Sequence, residues 1–204
     1  KMRNYKHRIQ LSSGNEFSRL WQSINQSLEN LQQLEIAKTV QESLLPQDAL
    51  SCQRFSVHVR TSTMTTLGGD YYDYVADKEG NATILMADVA GHGVQAALLM
   101  AMAKSVLLLH NASRIIPEAV MDALNRTFFT LRKSEISTMM TGQIIYITSD
   151  GLISLFNAGH CPPIVINNRQ TTPIENQTLP FGFSLNRKHS GVKIEIASGD
   201  IIVL

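Results

Sequence analysis

The chain has 204 residues, 44% of them hydrophobic and 17% charged, with 18 Lys+Arg against 17 Asp+Glu and a formal net charge of +1. That apolar fraction can build a core and excludes wholesale disorder, while so even a charge balance lacks the basic footprint of nucleic-acid binding. The two cysteines, Cys52 and Cys161, stand far apart with no CxxC spacing; this excludes a disulfide scaffold and a cysteine zinc site, and it fits a reducing cytosol.

No apolar run follows the basic residues Lys1–Arg8, so no secretory signal is expected there. The longest greasy stretch, Ala96–Leu109, has 14 residues and contains Lys104. A bilayer span needs about 20 apolar residues, so a soluble chain is expected.

Residues 1–47 differ in composition from the rest. From Phe17 to Leu45 there is neither Gly nor Pro, and Phe17, Ile24 and Leu31 recur at seven, with Leu20, Ser27 and Leu34 as the second heptad position. Trp21 and Leu28 widen the stripe, and the phase then slips to Ile36, Val40 and Leu44. This predicts an amphipathic helix of coiled-coil type with a drift in register, ended by Pro46. Packing on its own domain is the alternative use of such a helix.

From Asp48 onward the pattern is mixed. Strands are predicted at Phe55–Val59, Tyr71–Val75 and Thr83–Asp88. A helix over Val94–His110, apolar nearly all round, should be buried, and a second runs over Pro117–Lys133 with proline in its first turn. Met140–Thr148 and Leu152–Phe156 form a hairpin around Ser149–Gly151, and Ile164–Ile166, Val192–Ile196 and Ile201–Leu204 add short strands. Two helices in a hairpin-rich chain point to an α+β domain with antiparallel sheets over residues 48–204.

Two carboxylate sites stand out. In the segment Leu67–Asp73, paired glycines Gly68 and Gly69 let the backbone turn or approach a ligand closely. Asp70 and Asp73, three apart on a strand, point to opposite faces, so only one serves a given site; Asp70, beside the glycines, is favoured. In the segment Ile84–Gly93, Ile84, Met86 and Asp88 share a strand face. A charge at the end of a core strand is costly unless hydrogen-bonded or metal-bound. Gly91 and Gly93 then open a loop. Asp88 lies too far before the helix to be its cap.

GGDYYD, ADVAGHG running into an Ala/Leu/Met helix, LN, FNAGHCPP, LPFGF and GD, in that order and preceded by VQESLLPQ, resemble the SpoIIE/RsbU-type bacterial serine phosphatases of the metal-dependent PPM superfamily, related to protein phosphatase 2C. The resemblance covers Val40–Leu204 and implies a PPM-type αββα sandwich of two antiparallel sheets flanked by helices, with two Mn2+ or Mg2+ ions between the sheets. By it, Asp70, Asp88 and the main-chain carbonyl of Val89 bind metal. Two such ions about 3.5–4 Å apart activate a bridging water for in-line phosphoryl displacement, without a covalent phospho-enzyme. His92 becomes a candidate proton donor, although Asp-Val-Ala-Gly-His-Gly is not the Asp-Gly-His-Gly of eukaryotic relatives. His160 is read as fixing a turn.

The family continues beyond the strand Gly199–Leu204 into a Tyr-Thr-Asp-Gly motif whose Asp binds metal, and a further Asp completes the site; this chain stops at Leu204. Asp150 mimics that motif but lies before AGHCPP, in a turn. The resemblance implies a phosphorylated anti-sigma factor antagonist of STAS type as substrate. A non-catalytic module that kept the fold and binds a partner is the competing reading. Gly14–Asn25 resembles the second helix of a HAMP module, which implies the cytosolic end of a membrane-anchored sensor, with a homodimer through the helix from Phe17.

Overall fold

The fold is described by a computed structural model over residues 8, 16–52, 54–61, 67–110, 115–132, 139–167, 170–176, 178–186 and 188–204. The start of the HAMP-like segment at Gly14 and the expected helix end at Lys133 lie outside those residues. Helix α1 spans Glu16–Leu44 and stops just before Pro46. The short strands β1 (Leu50–Ser51) and β2 (Ser56–Val57) pair with each other. Then come β3 (Asp70–Ala76), β4 (Ala82–Val89), α2 (Val94–His110) and α3 (Pro117–Leu131). The chain ends with β5 (Met140–Ile147), β6 (Ile153–Ala158), β7 (Ile164–Asn167), β8 (Gln170–Pro173), β9 (Val192–Ile194) and β10 (Ile201–Val203). Among the described residues, no helix is long and apolar enough to cross a membrane.

A five-stranded antiparallel sheet of order β3-β4-β5-β6-β9 forms the centre, and a three-stranded sheet of order β10-β7-β8 stands apart from it. Alternation along each strand divides the central sheet into two faces. On one, Tyr71, Leu85, Ala87 and Ile144 pack with Met100 and Leu107 of α2 and with Leu124 and Phe128 of α3. Full burial of a side chain such as Phe128 is worth about 1.5–3 kcal/mol. On the other, Ile145, Ile147 and Leu155 pack with Phe55, Ile174 and Ile202. The second cluster thus joins the central sheet to β10 and its neighbours. This is the α+β architecture of antiparallel sheets and helices expected from the sequence.

The β5–β6 hairpin turns at Ser149–Gly151, where Gly151 adopts φ +94°, a left-handed conformation open to glycine. Asp150 lies in that turn. Its carboxylate accepts a hydrogen bond from Thr148, which holds its pKa below the ordinary carboxylate value, and its carbonyl accepts one from Arg54. The turn stands at the end of β5 opposite Thr141, so Asp150 is remote from the carboxylates considered below.

Three expectations change. The strand over Phe55–Val59 shrinks to the two residues of β2, whose only strand partner among the described residues is the equally short β1. Strand β8 carries no strand signal in the sequence, because all four of its residues are exposed and no alternation marks it. Helix α2 is not buried all round: Val94, Leu98, Met102, Leu108 and Leu109 are exposed. A helix lying on a sheet offers that sheet only one side, and apolar residues elsewhere on it remain outside unless a further element covers them.

Candidate active site

The site starts from strand register. β3 begins at Asp70 and β4 ends at Val89, and their antiparallel pairing sets Asp70 directly opposite Asp88. Thr141 of β5 lies on the other side of Asp88. These residues occupy the face away from α2 and α3, at one end of the sheet. Asp73 falls on the helix-covered face, as the odd spacing requires. There it is buried and accepts hydrogen bonds from Tyr71 Oη (2.7 Å), Lys104 Nζ (2.6 Å) and the Tyr74 amide (2.9 Å). Burial, and then the Asp73 charge, pushes the Tyr71 phenol far above its ordinary value. Asp73 is therefore committed to tying β3 to α2.

The glycine segments cross beside Asp88. The Val89 amide donates to the Gly69 carbonyl (3.1 Å) and the Gly93 amide donates to the Leu67 carbonyl (3.2 Å). A Cβ on Gly69 would stand 2.6 Å from the Val89 carbonyl oxygen, 3.1 Å from Asp88 Oδ1 and 3.2 Å from the Gly91 carbonyl oxygen. Three oxygens thus converge on the space that the missing side chain leaves. Gly68 is held from outside the domain's sheets: Gln41 of α1, nearly buried, donates from Nε2 to the Gly68 carbonyl (2.7 Å) and accepts from the Gly68 amide at Oε1 (3.3 Å).

Electrostatics mark the same place. Partial burial, and then the like charge of Asp70, raises the Asp88 pKa above the ordinary carboxylate value, with His160 opposing the shift. His160 comes from the turn after β6, where the Asn157 side chain donates to its carbonyl (3.1 Å) and accepts from its amide (2.9 Å). Its Nδ1 lies 2.9 Å from Thr141 Oγ1. Burial lowers the His160 pKa below 6.5, against the attraction of Asp88 and Asp70.

Asp70, Asp88, the Val89 carbonyl and the glycines Gly68, Gly69 and Gly91 are thus brought together, with Gly93 bonded back to Leu67. His92 lies exposed on the same loop and, among the described residues, makes no hydrogen bond to either carboxylate. The imidazole that interacts with the carboxylates is that of His160, whose expected role in the turn is only part of what it does. Sequence reasoning assigned no role to Thr141 or Gln41. Thr141 acquires its place from β4–β5 register and leaves no local pattern; Gln41 lies in the VQESLLPQ segment, but its contact with Gly68 comes from the docking of α1.

The donors that could hold a metal are all oxygen: two carboxylates and the carbonyls of Val89 and Gly91. Such a set fits a hard divalent cation that keeps several of its waters. Among the described residues no three His, Cys, Asp or Glu side chains form a metal-ligating group.

The model of the family named stage II sporulation protein E (SpoIIE) matches residues 78–204, which hold Asp88, the glycine loop and His160. The chain belongs to the SpoIIE family. It is similar to the phosphoserine phosphatase RsbU of Bacillus subtilis, with 29% identity over 188 residues, covering 88% of this chain and 55% of RsbU. The chain spans about half the length of that relative. Among solved structures, the PP2C domain of SiaA from Pseudomonas aeruginosa aligns with TM-score 0.67 at 16% identity, covering 85% of this chain and 70% of that one. RsbX in complex with magnesium aligns with TM-score 0.58 at 14% identity, over 75% of this chain and 74% of that one. At those identities the two structures show the PP2C-like fold alone. Asp70 and the Gln41 clamp lie before the matched range, so the fold itself, through β3–β4 pairing, joins them to the family's segment.

Proposed function

We propose that this chain is the catalytic domain of a metal-dependent protein serine/threonine phosphatase in bacterial signalling. Asp70, Asp88 and the Val89 main-chain carbonyl are the proposed ligands of divalent cations, Mn2+ or Mg2+. The observation that carries the reading is the pairing of Asp70 with Asp88 beside the Val89 carbonyl, at the space over Gly69. Two exposed carboxylates facing each other across adjacent strands repel, and a cation relieves that repulsion. RsbX, which shares the fold, is described with magnesium.

The chemistry such cations supply when bound is activation of a water and neutralisation of phosphoryl charge for an in-line displacement. The chain's residues do the rest. Asp70 and Asp88 set the negative charge that retains the cations, and Gly69 leaves the room in which the Val89 oxygen can reach them. His160 and Thr141 hold the wall beside Asp88. His92, exposed on the loop, is the proposed donor of a proton to the leaving serine oxygen.

The proposed substrate is the phosphoserine or phosphothreonine of a STAS-type anti-sigma factor antagonist, as the similarity to RsbU supports. Residues 1–47 are the proposed linker and 48–204 the phosphatase domain. The linker would carry a homodimer: Phe17, Leu20, Leu31, Ile36 and Val40 of α1 are exposed, and light scattering at micromolar concentration should give twice the monomer mass. A second reading, a non-catalytic binding module of the same fold, is favoured by the meeting of only two carboxylates among the described residues.

The test is phosphate release from a phosphoserine protein with Mn2+, using the chain beside Asp88→Asn. Loss of activity in the variant supports the phosphatase. Release at the parent rate by Asp88→Asn refutes the site, and no release or Mn2+ binding by either protein favours the binding module.

A further inference from the structure

Gln143 is fully buried on β5, and neither its Nε2 nor its Oε1 has a hydrogen-bond partner. A primary amide offers two donors and an acceptor oxygen. Burying it unsatisfied costs free energy that an apolar side chain of the same shape would not. The rest of its strand shows what that position would otherwise hold, since Ile144, Ile145 and Ile147 are all buried.

Its position is specific. Gln143 lies two residues along β5 from Thr141 and so shares its face, which is the face of Asp70 and Asp88. Across the strands its neighbours are Met86 and Asn157. Met86 offers only a thioether, and the Asn157 amide is already engaged by the main chain of His160 on both its oxygen and its nitrogen. The Gln143 amide therefore lies one residue pair inward from the Asp88–Thr141–His160 cluster, with unused hydrogen-bonding capacity. Buried polar groups of this kind are normally satisfied by an internal water that makes two to four hydrogen bonds.

We propose that Gln143 binds a buried water beneath the paired carboxylates, and that through this water it acts as a positioning residue for Asp88 and for the Thr141–His160 contact. The water half stands on the orphaned amide alone. The positioning half rests on the reading of Asp70 and Asp88 as metal ligands, since it is their metal affinity that a displaced support would change.

The test compares the chain with Gln143→Met and Gln143→Leu, all metal-free, by counting long-lived internal waters through oxygen-17 magnetic relaxation dispersion. Both variants should lose at least one such water relative to the parent. An unchanged count in a variant with a cooperative thermal transition overturns the proposal. Titration calorimetry with Mn2+ then reads the positioning role: about 10-fold weaker binding is expected, the lower end for loss of an outer-shell partner. Unchanged Mn2+ affinity with the water lost overturns that role. If both variants melt higher than the parent with the water count intact, the amide is an unsatisfied core group and nothing more. A parent that binds no Mn2+ refutes the metal reading and the positioning role with it, while the water count still decides whether Gln143 holds its water.

Discussion

Gly69→Ala places one methyl group against the proposed ligand carbonyl. The added Cβ would stand 2.6 Å from the Val89 oxygen, 3.1 Å from Asp88 Oδ1 and 3.2 Å from the Gly91 oxygen. Ordinary contact distances start about half an ångström or more beyond the first of these. The methyl therefore meets main-chain oxygen, which cannot rotate aside as a flexible side chain would. Gly69 does not have a left-handed backbone, so the effect is steric rather than torsional. Relief requires roughly 0.5 Å of movement by the Val89 peptide, whose amide is bonded to the Gly69 carbonyl itself (3.1 Å). Overpacking of this kind costs about 1–3 kcal/mol, which urea denaturation of the metal-free protein should show. Mg2+ holds its ligands near 2.0–2.1 Å and tolerates little displacement, so Mn2+ or Mg2+ affinity should also fall, by about 10–100-fold in calorimetry. Metal-free stability within about 0.5 kcal/mol of the parent, the scatter of ordinary surface substitutions, together with unchanged cation affinity, would refute both the close approach and the role of the Val89 carbonyl.

Lys104→Met leaves the Asp73 carboxylate buried with, among the described residues, only Tyr71 Oη and the Tyr74 amide as partners, and it should destabilise the fold by about 3–5 kcal/mol in urea. Adding Asp73→Asn to it should recover part of that loss, because the uncompensated charge is gone; no recovery in the double variant would count against the pair. His160 has a folded pKa lowered from 6.5, so the unfolded chain binds more protons between that lowered value and 6.5. Its contribution to stability therefore grows as pH rises through that window. Asp88, with a folded pKa raised above the ordinary carboxylate value, contributes the opposite slope, lost as pH rises through its folded pKa. Denaturation midpoints of metal-free His160→Gln should lose the rise toward pH 6.5, and a profile identical to the parent's would exclude His160 as its source.

Much of the architecture was legible because it obeys short-range rules. The heptad stripe and Pro46 place α1 almost to the residue, and Pro117 opens α3 where a first turn tolerates proline. The strands expected at Tyr71–Val75 and Thr83–Asp88 are found as β3 and β4, and the odd spacing of Asp70 and Asp73 put them on opposite faces. Strand β8 lacked any such signal, since an edge strand exposed along its whole length needs no apolar alternation. The exposure of Leu98 and Leu109 on α2 was also hidden, because hydrophobicity counted around a helix does not say how much of its circumference a sheet can cover.

The candidate site divides in the same way. By itself, the sequence determined the residue types and their local settings: carboxylates beside glycines, at the ends of core strands, in an order that resembles one phosphatase family. Those features are chemical and local, so one dimension suffices to show them. Only the tertiary structure decided the partners. Antiparallel register set Asp70 against Asp88 across 18 positions of sequence, the docking of α1 brought Gln41 onto Gly68, and the turn after β6 turned His160 toward Thr141. It also left Gln143 without a protein partner beneath them. Which groups meet depends on how strands pair and layers stack, and that choice is made by the packing of the whole chain rather than by any segment of it.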